Sequence, residues 1–323
     1  MHGIGSRLGK GLKCLLVVAA MAVAVISLSA AKESDDQEVI GTIEWLSTQR
    51  AVVGSPAVQM DLDPSHVFDG VDHVANGVAL RNRVSGTIHL RGVPLGSRVV
   101  MALLYWNFSD GHVTGPDEMP VLFDGNLVMG KKTADSDDPC WGMGGNHSFM
   151  ANVTEFVSHL GHPNQDYEVV LVFGEANSTT GQDPWISYES QEVRTEGATL
   201  VVIFENDMTS GPLFVYDAFG GSMFWSTATF NLHHAAASGD ARFTMAGADG
   251  QLNAPGELTF FDGQQIAGCP VTNSDWDGSD GWPSPQLWDT HLHSVFVNGS
   301  VSVVEYQSQG DCLVPVVLVL DLK

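Results

Sequence analysis

The segments FDGNLVMGKKTADSD (residues 123–137) and FDGQQIAGCPVTNSD (residues 261–275) share the same features at the same spacing. Each opens with Phe-Asp-Gly, carries another glycine five residues later, and ends in a short run of Asp, Asn and Ser. Asp-Gly favours tight hairpin turns because these turns need positive φ angles. The two segments therefore predict an internal repeat of strand–turn–strand units.

The features that flank the two segments also recur in the same order. Residues 87–90 (TIHL) precede the first copy as residues 229–232 (TFNL) precede the second, and a valine-rich run follows each copy, at 198–204 and 314–320. We therefore predict an all-β protein of two tandem antiparallel β-sandwiches, jelly-roll-like, at residues 75–208 and 209–323. The alternative is a chance similarity between units of one larger sandwich.

The secondary structure predicted for the chain is almost entirely strand. Runs of β-branched and aromatic residues recur between turn signals, at residues 85–90, 98–106, 167–173, 198–204, 213–216, 227–232, 257–261, 294–306 and 313–322. Asn298-Gly299 predicts a third hairpin turn. One short helix is expected after Asn152, a capping residue, with an apolar face of Val153, Phe156, Val157 and Leu160.

The composition is acidic and globular. The chain has 323 residues, 14 Lys+Arg against 38 Asp+Glu, a formal net charge of −24, and 44% hydrophobic residues. This apolar fraction supports a packed core. A polyanion repels phosphate backbones, so the balance argues against nucleic acid as a partner.

Residues 1–31 have the pattern of a cleaved export signal. Basic Arg7, Lys10 and Lys13 precede an apolar run from Cys14 to Leu28, and small residues follow at positions 29–31. The alternative is an uncleaved signal anchor. No later segment has the pattern of a membrane span, and we expect a secreted or cell-surface protein with residues 32–74 as an N-terminal segment, partly strand.

Export would leave three cysteines in the mature chain, Cys140, Cys269 and Cys312. Disulfides persist in oxidising compartments, and the pair expected here is Cys269 with Cys312, because both lie in the second predicted sandwich. The spacings include no CxxC, so a structural zinc site has no support.

Several segments resemble a known group of proteins. They are SGTIHLRGVPLGSRVVMALLYW (85–106), ANVTEFV (151–157), GATLVVIFEN (197–206), VYDAFG (215–220) and DGSDG (277–281) with the following Trp288-Asp289. Together they resemble secreted, adhesin-like β-sandwich domains of unknown function from bacteria and archaea, over roughly residues 74–322. The resemblance implies an exported or cell-surface location and supplies no catalytic residues.

The acidic segment 273–280 predicts a calcium site. Asn273, Asp275 and Asp277 alternate and a glycine follows, as in loops that curl around a hard cation, with Asp280 or the more distant Asp289 as a further ligand. An ordinary Asp-rich turn is the alternative. The counterpart in the first copy is the weaker set Asp135, Asp137 and Asp138, which lacks the glycine.

Three tryptophans in the same region predict a binding surface. Trp276, Trp282 and Trp288 lie at six-residue intervals in a Gly-, Pro- and Asp-rich stretch. Exposed indoles beside a calcium-ordered loop would stack on the rings of a cell-surface glycan or contact a matrix component. Alternatively, they cover the end of the sandwich.

The function expected from these features is binding or surface architecture, adhesin- or lectin-like, calcium-stabilised and non-catalytic. The alternative is a secreted enzyme. Such an enzyme would be a carbohydrate-active hydrolase that uses an acid pair such as Glu205 and Asp207, or a copper oxidoreductase. Copper would need three or four histidines to meet beside a Met side chain, and the candidates are His233, His234, His291 and His293.

Overall fold

The computed structural model describes residues 57–80, 83–158, 162–173, 193–218, 221–251, 256–269, 271, 274–281, 286–309 and 312–323. These residues form an all-β, sandwich-like fold of two sheets. No helix among them is long and apolar enough to cross a membrane. The predicted export signal at residues 1–31 and the rest of the chain before residue 57 lie outside the described residues.

Seventeen strands and one short helix make up the described structure. The strands are β1 Val58–Leu62, β2 His66–Asp69, β3 Asp72–Ala79, β4 Ser85–His89, β5 Arg98–Asp110, β6 Glu118–Phe123, β7 Asn126–Ser136, β8 Gly145–Asn152, β9 Asp166–Leu171, β10 Val193–Glu205, β11 Pro212–Asp217, β12 Met223–Phe224, β13 Thr227–Gln251, β14 Leu258–Phe261, β15 Gln264–Ala267, β16 Gln286–Gln307 and β17 Cys312–Leu322, and the helix is α1 Thr154–Ser158.

The first sheet has eight strands in the order β3-β10-β5-β8-β7-β6-β9-β4. Its two end strands, β3 and β4, follow each other in the chain and pack together, so the sheet curls almost into a barrel. The second sheet has the order β15-β14-β16-β13-β17-β11-β2, with β1 added in parallel to β13. The predicted N-terminal segment thus supplies two strands, β1 and β2, to the second sheet.

Three apolar layers hold the two sheets. One lies inside the first sheet, one inside the second, and the third lies between them. Strand β10 sends Leu200 and Val202 into the first layer and Val201 and Ile203 into the third. Strand β17 divides its side chains in the same way between the second and third layers. A strand buried on both faces needs an unbroken apolar run, which explains the two valine-rich stretches.

Both Phe-Asp-Gly segments form the predicted hairpins. Asp124 and Gly125 join β6 to β7 with φ of 49° and 76°, and Asp262 and Gly263 join β14 to β15 with φ of 48° and 77°. These paired positive angles define the type I′ turn that Asp-Gly favours. Each turn also donates its Asp N–H to a third strand, at Glu168 O and Val303 O, both 2.8 Å away.

The predicted turn at Asn298-Gly299 is wrong. Strand β16 runs through both residues, which pair with Ser238 and Ala237 of β13. Gly299 has φ of 134° beside a register shift in β13, so its conformational freedom serves an irregularity in the ladder rather than a chain reversal.

The short helix forms where it was predicted. The side chain of Asn152 accepts a hydrogen bond from Thr154 N at 3.0 Å, which caps the first turn. Val153 and Val157 are fully buried, and Phe156 packs against the same core. Leu160 lies outside the described residues.

The predicted pairing of Cys269 with Cys312 is wrong, because Cys312 is bonded to Cys140, with a Cα–Cα distance of 5.8 Å. Cys140 follows β7 of the first sheet and Cys312 begins β17 of the second. The disulfide therefore links the two sheets across 172 residues of chain. Its partner could not be read from the sequence, because it depends on how the sheets pack.

We expect the double variant Cys140→Ser with Cys312→Ser to unfold more easily than the wild type under non-reducing conditions. The lost bridge restricts a long loop in the unfolded chain, and its removal should cost about 2–5 kcal/mol. Denaturant unfolding followed by intrinsic tryptophan fluorescence measures the difference. An unchanged midpoint and slope would contradict a stabilising role for this bridge.

Candidate cation site at the junction of the two sheets

Residues 274–281, between β15 and β16, place the predicted acidic loop against the first sheet. Asp280 accepts a hydrogen bond at its backbone oxygen from Ala79 N of β3 (2.9 Å), and its own N–H donates to Trp288 O of β16 (3.2 Å). Gly77 of β3 leaves room for the Asp280 carboxylate, which a Cβ atom at that position would overlap. The loop therefore lies at the junction of the two sheets.

Three side chains converge in this loop and the adjacent strand. One ligand atom from each of Asp277, Asp289 and His291 lies within 4.8 Å of the others. The Nε2 atom of His291 is 3.7 Å from Asp277 Oδ1 and 3.4 Å from Asp289 Oδ1. Asp289 is fully buried and also accepts a hydrogen bond from Ser279 N at 2.9 Å.

Two further aspartates of the predicted set border this group. Asp275 accepts a hydrogen bond at Oδ1 from His293 Nε2 at 2.9 Å, and Asp280 interacts electrostatically with Asp289 and Asp277. Four buried carboxylate oxygens of this group have no hydrogen-bond partner among the described residues. They are Asp275 Oδ2, Asp277 Oδ1, Asp280 Oδ2 and Asp289 Oδ2.

Burial disfavours the charged form of the two innermost carboxyls. It raises the pKa of Asp280 to about 7 and that of Asp289 to about 6. Hydrogen bonds from Thr290 and from His291 offset part of these shifts. An uncompensated buried carboxylate is costly, so this junction favours a positive charge.

His291 provides one positive charge. Burial alone would lower its pKa, but the ion pairs with Asp277 and Asp289 more than reverse that effect and raise the pKa to about 11. In the same way burial would raise the pKa of Asp277, and the interaction with His291 lowers it below its usual range. A proton on His291 and a metal ion would therefore compete for the same carboxylates.

The donor set fits a divalent cation. Asp277 and Asp289 offer oxygen atoms and His291 a nitrogen atom at the right mutual spacing, while Asp280 and Asp275 add negative charge. Asp277 and Asp280 come from the predicted loop, and Asp289 was the distant alternative. The sequence pattern predicts His291 in a separate histidine cluster. Its position two residues after Asp289 on one strand was the available signal, since such residues share a face.

Two tryptophans of the predicted binding surface are buried, so the expectation that they stack on a ligand is wrong. Trp276 and Trp288 are both 0% exposed. Trp276 packs edge-on against Tyr306 in the second core, and Trp288 lies over Gly197 and donates to Thr199 Oγ1 at 2.7 Å. Trp282 and the predicted ligand Asn273 lie outside the described residues.

The alternation of side chains explains why Trp276 is buried. In this extended loop Asp275 and Asp277 point towards the histidines of β16, while Trp276 between them points into the core. Successive side chains of an extended chain point to opposite sides. The alternating aspartates that predicted an exposed loop thus lie on one face of it, and the other face is buried.

The weaker predicted set in the first copy does not form a cage. Asp135 is already paired with Lys132 Nζ (2.8 Å) and His147 Nδ1 (2.8 Å), Asp138 accepts hydrogen bonds from the N–H groups of Cys140 and Trp141, and Asp137 is exposed. Among the described residues, these three aspartates are not gathered as the group around Asp289 is.

The four histidines proposed for copper do not meet. In the β13–β16 pairing His233 is opposite Val301, whereas His291 is opposite Met245, twelve residues further along β13. His234 bonds Ala235 O and Ser302 Oγ instead. Glu205 of the suggested acid pair is engaged by Arg98 at 2.6 Å.

Two other clusters of potential ligands are already neutralised. Cys140 and Cys312 lie near Asp249 but are joined as a disulfide. The group of Asp72, His73 and Asp321 is matched by Arg242, which pairs with both aspartates, and by Lys323, which lies 2.6 Å from Asp321. The disulfide leaves the first cluster without free thiols, and the second needs no metal ion for charge balance.

The second sheet also carries a groove of about 840 Å³. Phe296, 57% exposed, lies on its wall with Asn298, Asp240 and Gln264. An exposed ring beside amide and carboxylate groups offers both stacking and hydrogen bonding to a ligand.

No protein-family model and no curated protein matches the chain. Among solved structures, PNGase F, a glycosylasparaginase from Flavobacterium meningosepticum, is similar over 78% of this chain and 96% of that one, with 9% identity and a TM-score of 0.26. BuGH86 in complex with neoagarooctaose covers 80% of this chain and 33% of its own, with 8% identity and a TM-score of 0.18. The insecticidal delta-endotoxin Cry8Ea1 of Bacillus thuringiensis has 8% identity, a TM-score of 0.19 and coverages of 80% and 54%. Structural similarity at these TM-scores does not support an inference about function.

We expect Gly77→Ala to destabilise the protein by about 1–3 kcal/mol, because the new methyl group overlaps Asp280 and Thr290 Oγ1. Gly111→Ala is the matched control, since a Cβ atom there has nothing within 4 Å. Urea unfolding of both variants measures the difference. Equal stability of the two would show that Asp280 does not pack against β3 in this way.

Proposed function

We propose that the protein is an exported, acidic β-sandwich protein of the cell surface or extracellular space, with a binding or architectural role, whose sheet junction is stabilised by a divalent cation. The convergence of Asp277, Asp280 and Asp289 with unpartnered buried oxygens carries the proposal. The Cys140–Cys312 disulfide supports export, because such bonds persist in oxidising compartments.

The cation acts by removing repulsion between carboxylates. Asp289 is fully buried beside Asp277, and within the described part of the chain His291 alone offsets their charges. A divalent ion in this position adds the charge that the group lacks and ties the loop at 274–281 to β16. Because Asp280 of the same loop is held by β3, the ion would stabilise the contact between the two sheets.

Calcium is the first candidate for this ion, since carboxylate oxygens are the ligands it prefers. A transition metal such as manganese or zinc is the second, and the observation that favours it is the imidazole nitrogen of His291 among the ligand atoms. Competition between calcium and manganese for the metal-free protein separates the two.

We expect a chelator to lower the melting temperature of the purified protein, and excess calcium to restore it. At a free ion concentration of about 100 times the dissociation constant the stabilisation is about 2.7 kcal/mol. For a domain of this size that corresponds to roughly 5–10 °C. Differential scanning calorimetry with and without chelator measures the shift.

The double variant Asp277→Asn with Asp289→Asn should lose this sensitivity. Its melting temperature should be the same with and without chelator, and lower than that of the wild type, because the substitutions also remove the ion-pair partners of His291. Asp207→Asn, at an exposed position, is the control and should keep the full response. A wild-type melting temperature that does not change with chelator would overturn the proposed cation site.

The groove beside Phe296 is the surface we assign to the binding role. Trp276 and Trp288 are buried, so we assign ligand binding to this groove instead. It combines an exposed aromatic ring with hydrogen-bonding side chains. A cell-surface glycan or a matrix component remains the proposed partner.

A further inference from the structure

A second cavity, of about 210 Å³, opens where β3, β13 and β16 meet. Its volume is that of about seven water molecules, enough for a small ion with some of its hydration shell. Three of its lining residues are apolar, and the other six can donate hydrogen bonds: His73, Arg91, Arg242, Thr244, Thr290 and His291.

The lining differs in charge from the rest of the molecule. The chain has 38 Asp+Glu and only 14 Lys+Arg, yet the described residues that line this cavity include two arginines and two histidines and no acidic residue. The acids that pair with the arginines, Asp166 with Arg91 and Asp72 and Asp321 with Arg242, are not among the lining residues.

The arginines also have donors to spare. The Nε atom of Arg242 is buried without a hydrogen-bond partner among the described residues, while its terminal nitrogen holds Asp72, Asp321 and His73 O. Arg91 uses one nitrogen for Leu90 O and one for Asp166, both at 2.7 Å, and a guanidinium has five N–H groups.

His73 provides a further buried donor. It is 2% exposed, and its Nε2 atom bonds Thr244 Oγ1 at 2.8 Å. Its Nδ1 atom is 3.6 Å from Asp321 Oδ2 and 4.0 Å from Asp72 Oδ1, and it has no hydrogen-bond partner among the described residues. Fixed N–H and O–H groups around a small cavity are the arrangement that binds oxyanions.

We propose that this cavity binds a small oxyanion, either free sulfate or phosphate or the acidic group of a saccharide, with Arg91 and Arg242 as its main contacts. The site goes beyond the proposed function and does not require the cation. His291 borders both sites, so an anion in the cavity would lie beside the cation group without sharing its carboxylates.

Titration with inorganic sulfate at constant ionic strength tests the proposal, using the wild type, Arg91→Gln and Arg98→Gln. Arg91 is 57% exposed and paired with Asp166, and Arg98 is 66% exposed and paired with Glu205 outside the cavity, so the two substitutions are matched in charge, exposure and lost ion pair. Arg91→Gln should weaken sulfate binding by about tenfold or more. Arg98→Gln should leave it unchanged.

Histidine NMR gives a second readout that needs no variant. Sulfate should shift the ring resonances of His73 and His291 and leave those of His147, buried between Asp110 and Asp135 in the first sheet, unmoved. Repeating the titration with a sulfated disaccharide separates the two sources of the anion. Tighter binding of the disaccharide assigns the cavity to an acidic saccharide, and tighter binding of sulfate assigns it to the free ion.

Several outcomes would overturn the proposal. The first is that the wild type does not bind sulfate. The second is an equal loss of sulfate affinity in Arg91→Gln and Arg98→Gln, which indicates diffuse attraction to the surface. The third is a shift of the His147 ring resonances as large as that of His73. All titrations are run with chelator and with calcium. If the chelator lowers the melting temperature but sulfate does not bind, only the anion site is overturned. If sulfate binds but the chelator has no effect on the melting temperature, only the cation site is overturned.

Discussion

The apolar layer between the two sheets is the constraint on which the rest of the structure depends. It is formed by side chains of β5, β10, β11, β13 and β17, and two of these strands, β10 and β17, are buried on both faces. Because this layer fixes one sheet against the other, Asp280 can meet β3, Trp288 can lie over Gly197, and Cys140 can reach Cys312. Both candidate ion sites lie at the edge of the same layer.

Features that depend on neighbouring residues could be predicted from the sequence. The Asp-Gly turns and the Asn152 cap need only local backbone conformations, and both formed as expected. The two valine-rich runs marked the doubly buried strands, because only an apolar stretch tolerates burial on both faces. The acidic loop was also found, since Asp277 and Asp280 are close in the chain.

Features that depend on packing between distant strands could not be predicted. Cys140 lies 172 residues from its partner, and no spacing rule connects them. Trp276 is buried because its loop turns one face to the core, and a polar composition does not show this. His291 joins Asp277 only because β16 returns beside the loop. Asn298-Gly299 was misread because glycine also serves irregular strand pairing.

The position of β1 and β2 has a consequence for how the chain assembles. Val58 pairs with Ala228 and His66 with Val215, so the first two described strands belong to the sheet that contains the last two. They stay without their partners until well over half of the polypeptide has been synthesised, and such distant pairings slow folding. The second sheet can therefore close only after its C-terminal strands, β16 and β17, have been made.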